Sequence, residues 1–117
     1  MYVAGGTLRQ VMATNVFVVK LEGRKLDSSA AAPLRSKMTK AWESGASIAV
    51  LDMTDVTYID SLGISALISE QRRRPAGHRI VLCSLCDYVR DVLEVTQIIR
   101  VFDIYASADA ATAALST

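Results

Sequence analysis

The segment Asp60-Ser61-Leu62-Gly63-Ile64 is the part of this sequence best suited to carry chemistry. It follows a short apolar run and a polar connection, so Ser61 stands at the entrance to a helix. Backbone N–H groups are unpaired there and the helix dipole is positive. A phosphate carried on the Ser61 hydroxyl would meet donors already in place. Gly63, with no side chain, lets another backbone approach the helix end, and the ends of parallel strands are where α/β sheets present their sites. The plainer reading of the same spacing is that Asp60 or Ser61 caps a helix.

Cys83-Ser84-Leu85-Cys86 has the spacing of a dithiol, and a thiol at a helix N-terminus ionises more readily than a free one. In a thioredoxin-like site, however, the first cysteine opens the helix, whereas Cys83 reads as the end of a strand. Neither Pro33 nor Pro75 is placed to oppose the pair. Two structural thiols, at least one of them buried, are the preferred reading, with a small redox protein as the alternative. Zinc would need two further ligands and only His78 is available, so no metal site is expected. Arg72-Arg73-Arg74 reads as a solvated helix end facing the negative pole of the dipole, with contact to an acidic partner as the alternative. Ser61 has no histidine beside it in sequence, so no nucleophile–base pair and no catalytic residue is expected.

The elements that must position these residues follow from periodicity. Residues 8–12 and 16–21, joined at Ala13-Thr14-Asn15, read as a β-hairpin, and Gly23 marks the end of its second strand. Helical spacing begins at Ser29 with Ala31, Leu34, Met38, Ala41 and Trp42 on one face; Ser28 or Ser29 caps this helix and Gly45 stops it. Residues 48–52 are a short apolar run of the kind buried on both faces of a sheet. A strand at 56–59 leads into the helix opened by Asp60 and Ser61, with Ile64, Leu67 and Ile68 inward, ending before Pro75. Residues 78–82 form the next strand and 87–97 a third amphipathic helix with Val89, Val92 and Leu93 inward. Residues 101–105 give a last strand and 107–115 an alanine-rich helix. Alternating strands and helices imply right-handed crossovers and a largely parallel sheet, which the opening hairpin makes mixed.

Composition narrows the function classes. Thirteen Lys and Arg stand against 12 Asp and Glu in 117 residues, a formal charge of +1. That even balance leaves no electrostatic footprint for nucleic acid or an anionic membrane. With 51% hydrophobic residues the chain is a globular protein of one domain's length, able to bury about two-thirds of its unfolded surface without disulfides or metal. No apolar run reaches the roughly 18 residues of a membrane span, and residues 1–10 lack the pattern of a signal peptide, so a cytoplasmic protein is expected.

The run Asp60-Ser61-x-Gly63-Ile64, preceded by an Asp-x-x-x-Val-x-x-Ile stretch from Asp52 to Ile59, resembles the signature of the STAS domain, bacterial anti-sigma factor antagonist type. Gly23 to Asp27 is similar to the family's Gly-Glu-Leu-Asp element after its second strand. Val92-Leu93-Glu94-Val95-Thr96 is similar to the Val-Leu-(Glu/Asp)-x-(Thr/Ser) segment of its third helix. The resemblance covers nearly the whole chain, residues 1–117 as a single STAS domain. It implies an α/β fold with a mixed sheet, an N-terminal hairpin, alternating βα units and helices packed largely on one side. Three features depart from the pattern. Leu62 stands where a small or hydroxyl residue is usual, Arg24 and Lys25 replace an acid in a stretch one residue longer, and Cys83 to Cys86 replace an Asn-Pro-like turn.

The implied function is a partner switch in transcription regulation, without cofactor. Antagonists of this kind bind an anti-sigma factor that is also a serine kinase of the histidine-kinase-like ATPase superfamily, displacing the sigma factor. The kinase phosphorylates the serine after the aspartate, here Ser61, and a PPM-type serine phosphatase restores it. By this resemblance the partner surface comprises Arg24, Lys25, Asp27, Asp60, Ser61, Leu62, Gly63 and Ile64. The alternative within the fold is a STAS scaffold or transport-accessory subunit that is never phosphorylated.

Overall fold

The computed structural model describes residues 8–11 and 14–116. Its strands are β1 (Leu8–Gln10), β2 (Val16–Lys20), β3 (Lys25–Leu26), β4 (Ile48–Asp52), β5 (Tyr58–Ile59), β6 (Arg79–Cys83) and β7 (Asp103–Tyr105). Its helices are α1 (Ala31–Glu43), α2 (Ser61–Arg73), α3 (Asp87–Val95) and α4 (Ala108–Leu115), with 3₁₀ turns at Ser28–Ala30 and Ile98–Arg100. The main sheet has the order β1-β2-β4-β6-β7, with β1 antiparallel to β2 and every other pair parallel. This is the mixed sheet expected from the alternation of elements. Of the hairpin turn, Met12 and Ala13 lie outside the described residues.

Strand periodicity explains the layering. Phe17 and Val19 of β2, Ala49 and Leu51 of β4, and Ile80 and Leu82 of β6 share one face and pack with residues of α1, α2 and α3. The intervening Val16, Val18, Val50, Val81 and Cys83 face the other way, against Ala111 of α4. Three helices therefore cover one face and α4 alone the other, which is why β4 is apolar at every interior position. Burial of this kind contributes about 1.5–3 kcal/mol for each large aliphatic side chain. The break after α1 comes at Gly45, whose φ of +103° is open to glycine at little cost.

Several boundaries differ from those read in the sequence. The strand expected over residues 56–59 shrinks to Tyr58–Ile59 and leaves the main sheet, pairing in parallel with β3, a strand the sequence did not announce. Neither Ser28 nor Ser29 caps the first helix: Asp27 accepts the Ser29 N–H and caps the 3₁₀ turn that precedes α1. The third helix ends at Val95 rather than 97, because Gln97 takes a left-handed conformation, and the last strand starts at Asp103 after a 3₁₀ turn. Along α2 the buried residues are Gly63, Ala66, Leu67 and Glu70, whereas Ile64 and Ile68 are only partly covered.

Candidate functional site

The first turn of α2 is built by Asp60. Its backbone is extended, and its Oδ1 accepts the N–H groups of Leu62 at 3.0 Å and Gly63 at 3.1 Å. Asp60 is thus the cap, and Ser61, the first helical residue, is exposed. The Asp60 N–H donates to the Leu26 carbonyl at 3.3 Å, and a Cβ on Gly63 would overlap that same carbonyl oxygen. The backbone that Gly63 admits is therefore the chain's own β3. Gly63 is buried beneath it, so the open surface of this turn comes from Ser61 and Leu62, the latter 55% exposed.

Pairing of β3 with β5 in the register Leu26↔Ile59 brings Asp27 and Asp60 out of the two strands side by side. Asp27 accepts the Ser29 hydroxyl at 2.6 Å and the Ser29 N–H at 3.0 Å. These bonds, the hydroxyl first, hold its carboxyl below the usual range. Arg24 and Lys25 are exposed ahead of Asp27, and the Arg24 carbonyl accepts the N–H groups of Thr57 and Tyr58. Ile64 lies half-buried behind Leu62.

Two residues that sequence reasoning missed complete the surface. Tyr58, 40% exposed, donates its hydroxyl to Asp60 Oδ2 at 3.4 Å. Its ring stacks on Tyr88 with centroids 6.3 Å apart, and Tyr88 is itself 48% exposed. The Asp60 carboxylate is the main cause that raises the Tyr58 phenol above its ordinary value. Tyr58 lies two residues before Asp60 on the same strand face, a signal the alternation of a strand could have supplied. Tyr88 is brought in from α3 by the fold alone. Tyr58 and Tyr88 thus form an exposed aromatic pair beside the Asp60 carboxylate, which immediately precedes the exposed Ser61 and Leu62. Aromatic anchors with polar tips are the side chains that protein interfaces favour.

The other candidates lie elsewhere. Cys83 is enclosed on the α4 face, and burial pushes its thiol up to about 11, away from thiolate chemistry. Cys86 precedes α3, is partly buried, and is a free thiol like Cys83. Arg74 closes the end of α2 by donating Nε to the His78 carbonyl at 3.0 Å and Nη1 to that of Gln71. His78 meets the edge of Trp42 with ring centroids 5.4 Å apart. Among the described residues no group of three His, Cys, Asp or Glu side chains is arranged for a metal, and no helix is long and apolar enough to cross a membrane.

Residues 10–111 match the STAS domain family. BtrV of Bordetella bronchiseptica, provisionally named an anti-sigma factor antagonist, is 32% identical over 94 residues, 79% of this chain and 80% of that protein. The crystal structure of an anti-sigma factor antagonist from Mycobacterium paratuberculosis superposes with a TM-score of 0.79 at 18% identity, covering 94% of this chain and 92% of that one. A sulfate transporter family protein from Wolinella succinogenes superposes with a TM-score of 0.76 at 21% identity, covering 90% and 88%.

Proposed function

The chain belongs to the STAS domain family, and we propose that it acts as an anti-sigma factor antagonist whose binding surface is switched by phosphorylation of Ser61. The observation that carries this reading is the placement of an exposed serine between a capping aspartate and the exposed Leu62, with the Tyr58–Tyr88 pair hydrogen-bonded to that aspartate through the Tyr58 hydroxyl. The unmodified surface docks on an anti-sigma factor that is also a serine kinase of the histidine-kinase-like ATPase superfamily, and a sigma factor is released. Phosphorylation then adds about −1.5 to −2 charges next to Asp60 and Asp27, in the middle of the contact. The surface must be dehydrated on docking, which costs little for a hydrogen-bonded hydroxyl and much for a dianion. A PPM-type serine phosphatase restores the binding form. The chain works as a binding module in the cytoplasm and needs no cofactor.

The test compares variants against the cognate anti-sigma factor by calorimetry, with circular dichroism to establish folding. Ser61→Ala should bind as wild type does and resist switching off by kinase and ATP. Ser61→Asp and Ser61→Glu should bind about thirtyfold more weakly, or about 2 kcal/mol, the scale of an imperfectly paired buried charge. Equal binding by both acidic variants would remove Ser61 as the switch. The transporter-family structure favours one second reading, a STAS accessory subunit that docks through the same face and carries no phosphate in vivo. Mass spectrometry of the native protein separates the two.

A further inference from the structure

The loop that carries Arg24 and Lys25 does more than border the Ser61 surface: it lines an open cleft of about 410 Å³ between the end of β2 and α1. The size falls within the range of small-molecule sites, roughly 300–1,000 Å³. Its floor is apolar, made by Leu21, Leu26, Leu34 and Val56, with Ala30 and Pro33 at the side. Its rim is basic, with Arg24, Lys25 and Lys37 set against the single carboxylate of Glu22.

Among the described residues none of these three cations closes a salt bridge. The ion pairs among the described residues are Lys20–Asp55, Arg35–Glu70 and Arg79–Asp103. Lys37 Nζ donates to the Lys20 carbonyl at 3.2 Å, which fixes its direction and leaves its other two N–H groups free to donate. Lys25 acts on Asp27 only through the Coulomb field. An apolar floor under a net positive rim is complementary to a small molecule with a hydrocarbon body and one anionic head.

We propose that this cleft binds a small amphipathic organic anion, a hydrocarbon chain ending in a carboxylate or phosphate, with the chain on Leu26, Leu34 and Val56 and the head on Arg24 and Lys37. Charge-assisted hydrogen bonds to the head set the preference for an anion, and apolar burial of the chain supplies most of the affinity. Leu26 gives the site a route to the rest of the protein, since its side chain lines the cleft while its carbonyl holds the Asp60 N–H. The cleft shares Arg24 and Lys25 with the expected partner surface but does not depend on the partner switch, and its test uses the isolated chain with no partner present.

The test titrates methyl-labelled protein with decanoate, decyl phosphate, decanol and decyltrimethylammonium, each below its micelle concentration, followed by NMR. Decanoate or decyl phosphate should shift the methyl signals of Leu26, Leu34 and Val56 saturably, at least about tenfold more tightly than decanol, while the cation binds more weakly than decanol. Which of the two anions binds more tightly identifies the head group. Arg24→Gln combined with Lys37→Gln, both on exposed or half-exposed side chains, should reduce the anions to the affinity of decanol. A second variant, Ala30→Phe, should fill the cleft and abolish binding of all the probes. Equal affinity for decanol and decanoate, an undiminished preference in the Gln variant, shifts centred on Val50 and Val81 under α4, or no saturable binding at all would each overturn the proposal.

Discussion

Ser61 and Cys83 differ by one atom in the side chain and are handled by the fold in opposite ways. Ser61 is exposed on a helix end, where a modification can be added without disturbing the core. Cys83 sits at 0% exposure between β6 and α4, and desolvation lifts its thiol from 9.0 to about 11. The consequence for stability has a definite sign. Below pH 9 both folded and unfolded chains keep the proton; between 9 and 11 the unfolded chain loses it first, so stability falls as pH rises through that window. At about pH 10.5 the loss should approach 2 kcal/mol. Urea denaturation of wild type and Cys83→Ala measures it: the gap between the two should narrow by that amount from about pH 8 to 10.5. Parallel curves would show that the thiol is not desolvated. Cys83→Ser at neutral pH should cost roughly 1–3 kcal/mol while leaving partner binding by the folded fraction intact.

At the scale of elements, the start of α2 separates capping from close approach. Asp60→Ala removes the acceptor for the Leu62 and Gly63 N–H groups and should cost about 1 kcal/mol. Gly63→Ala places a methyl group on the Leu26 carbonyl, and relief requires β3 to move, so a loss of about 3 kcal/mol or more is expected in urea denaturation. A change under about 0.5 kcal/mol would mean that β3 does not rest on the helix in solution. This contact also explains what the sequence could and could not convey. The opening hairpin and β4, β6 and α4 were legible because each is a short apolar or alanine-rich run with clear punctuation at its ends. The β3–β5 pair was not, because two residues per strand carry no period and the pairing joins positions 33 apart, Leu26 and Ile59. The inward face of α2 was legible at Leu67 and Ile64 but not at Gly63 and Ala66, which are buried for being small. Glu70 is buried while facing Arg35 at 3.5 Å, which no hydropathy pattern signals.

At the scale of the whole molecule, the helix that presents Ser61 also holds the chain's lone histidine away from it. Ser61 opens α2 and His78 follows its far end, and a helix of 13 residues is about 20 Å long at 1.5 Å per residue. His78 is further occupied by Trp42, so it cannot serve as a base for Ser61. The groups that do surround Ser61 are committed. Asp60 Oδ1 accepts two backbone N–H groups, Asp27 accepts Ser29, and the Tyr58 phenol is raised, which keeps its proton in place at neutral pH. General-base catalysis needs a group that accepts a proton near the working pH within hydrogen-bond reach, and among the described residues the nearby carboxylates of Asp60 and Asp27 already accept hydrogen bonds from the chain itself, which weakens them as bases. Under the proposed switch, a phosphate on Ser61 would be supplied by the active site of a partner, with this chain as the substrate. Incubation with labelled ATP and magnesium alone should leave no label on the protein, and nitrophenyl esters and phosphates should turn over at the buffer rate. Label or turnover that disappears in Ser61→Ala would place a catalytic base where the geometry offers only spent carboxylates, and the binding-module reading would have to give way to an enzyme.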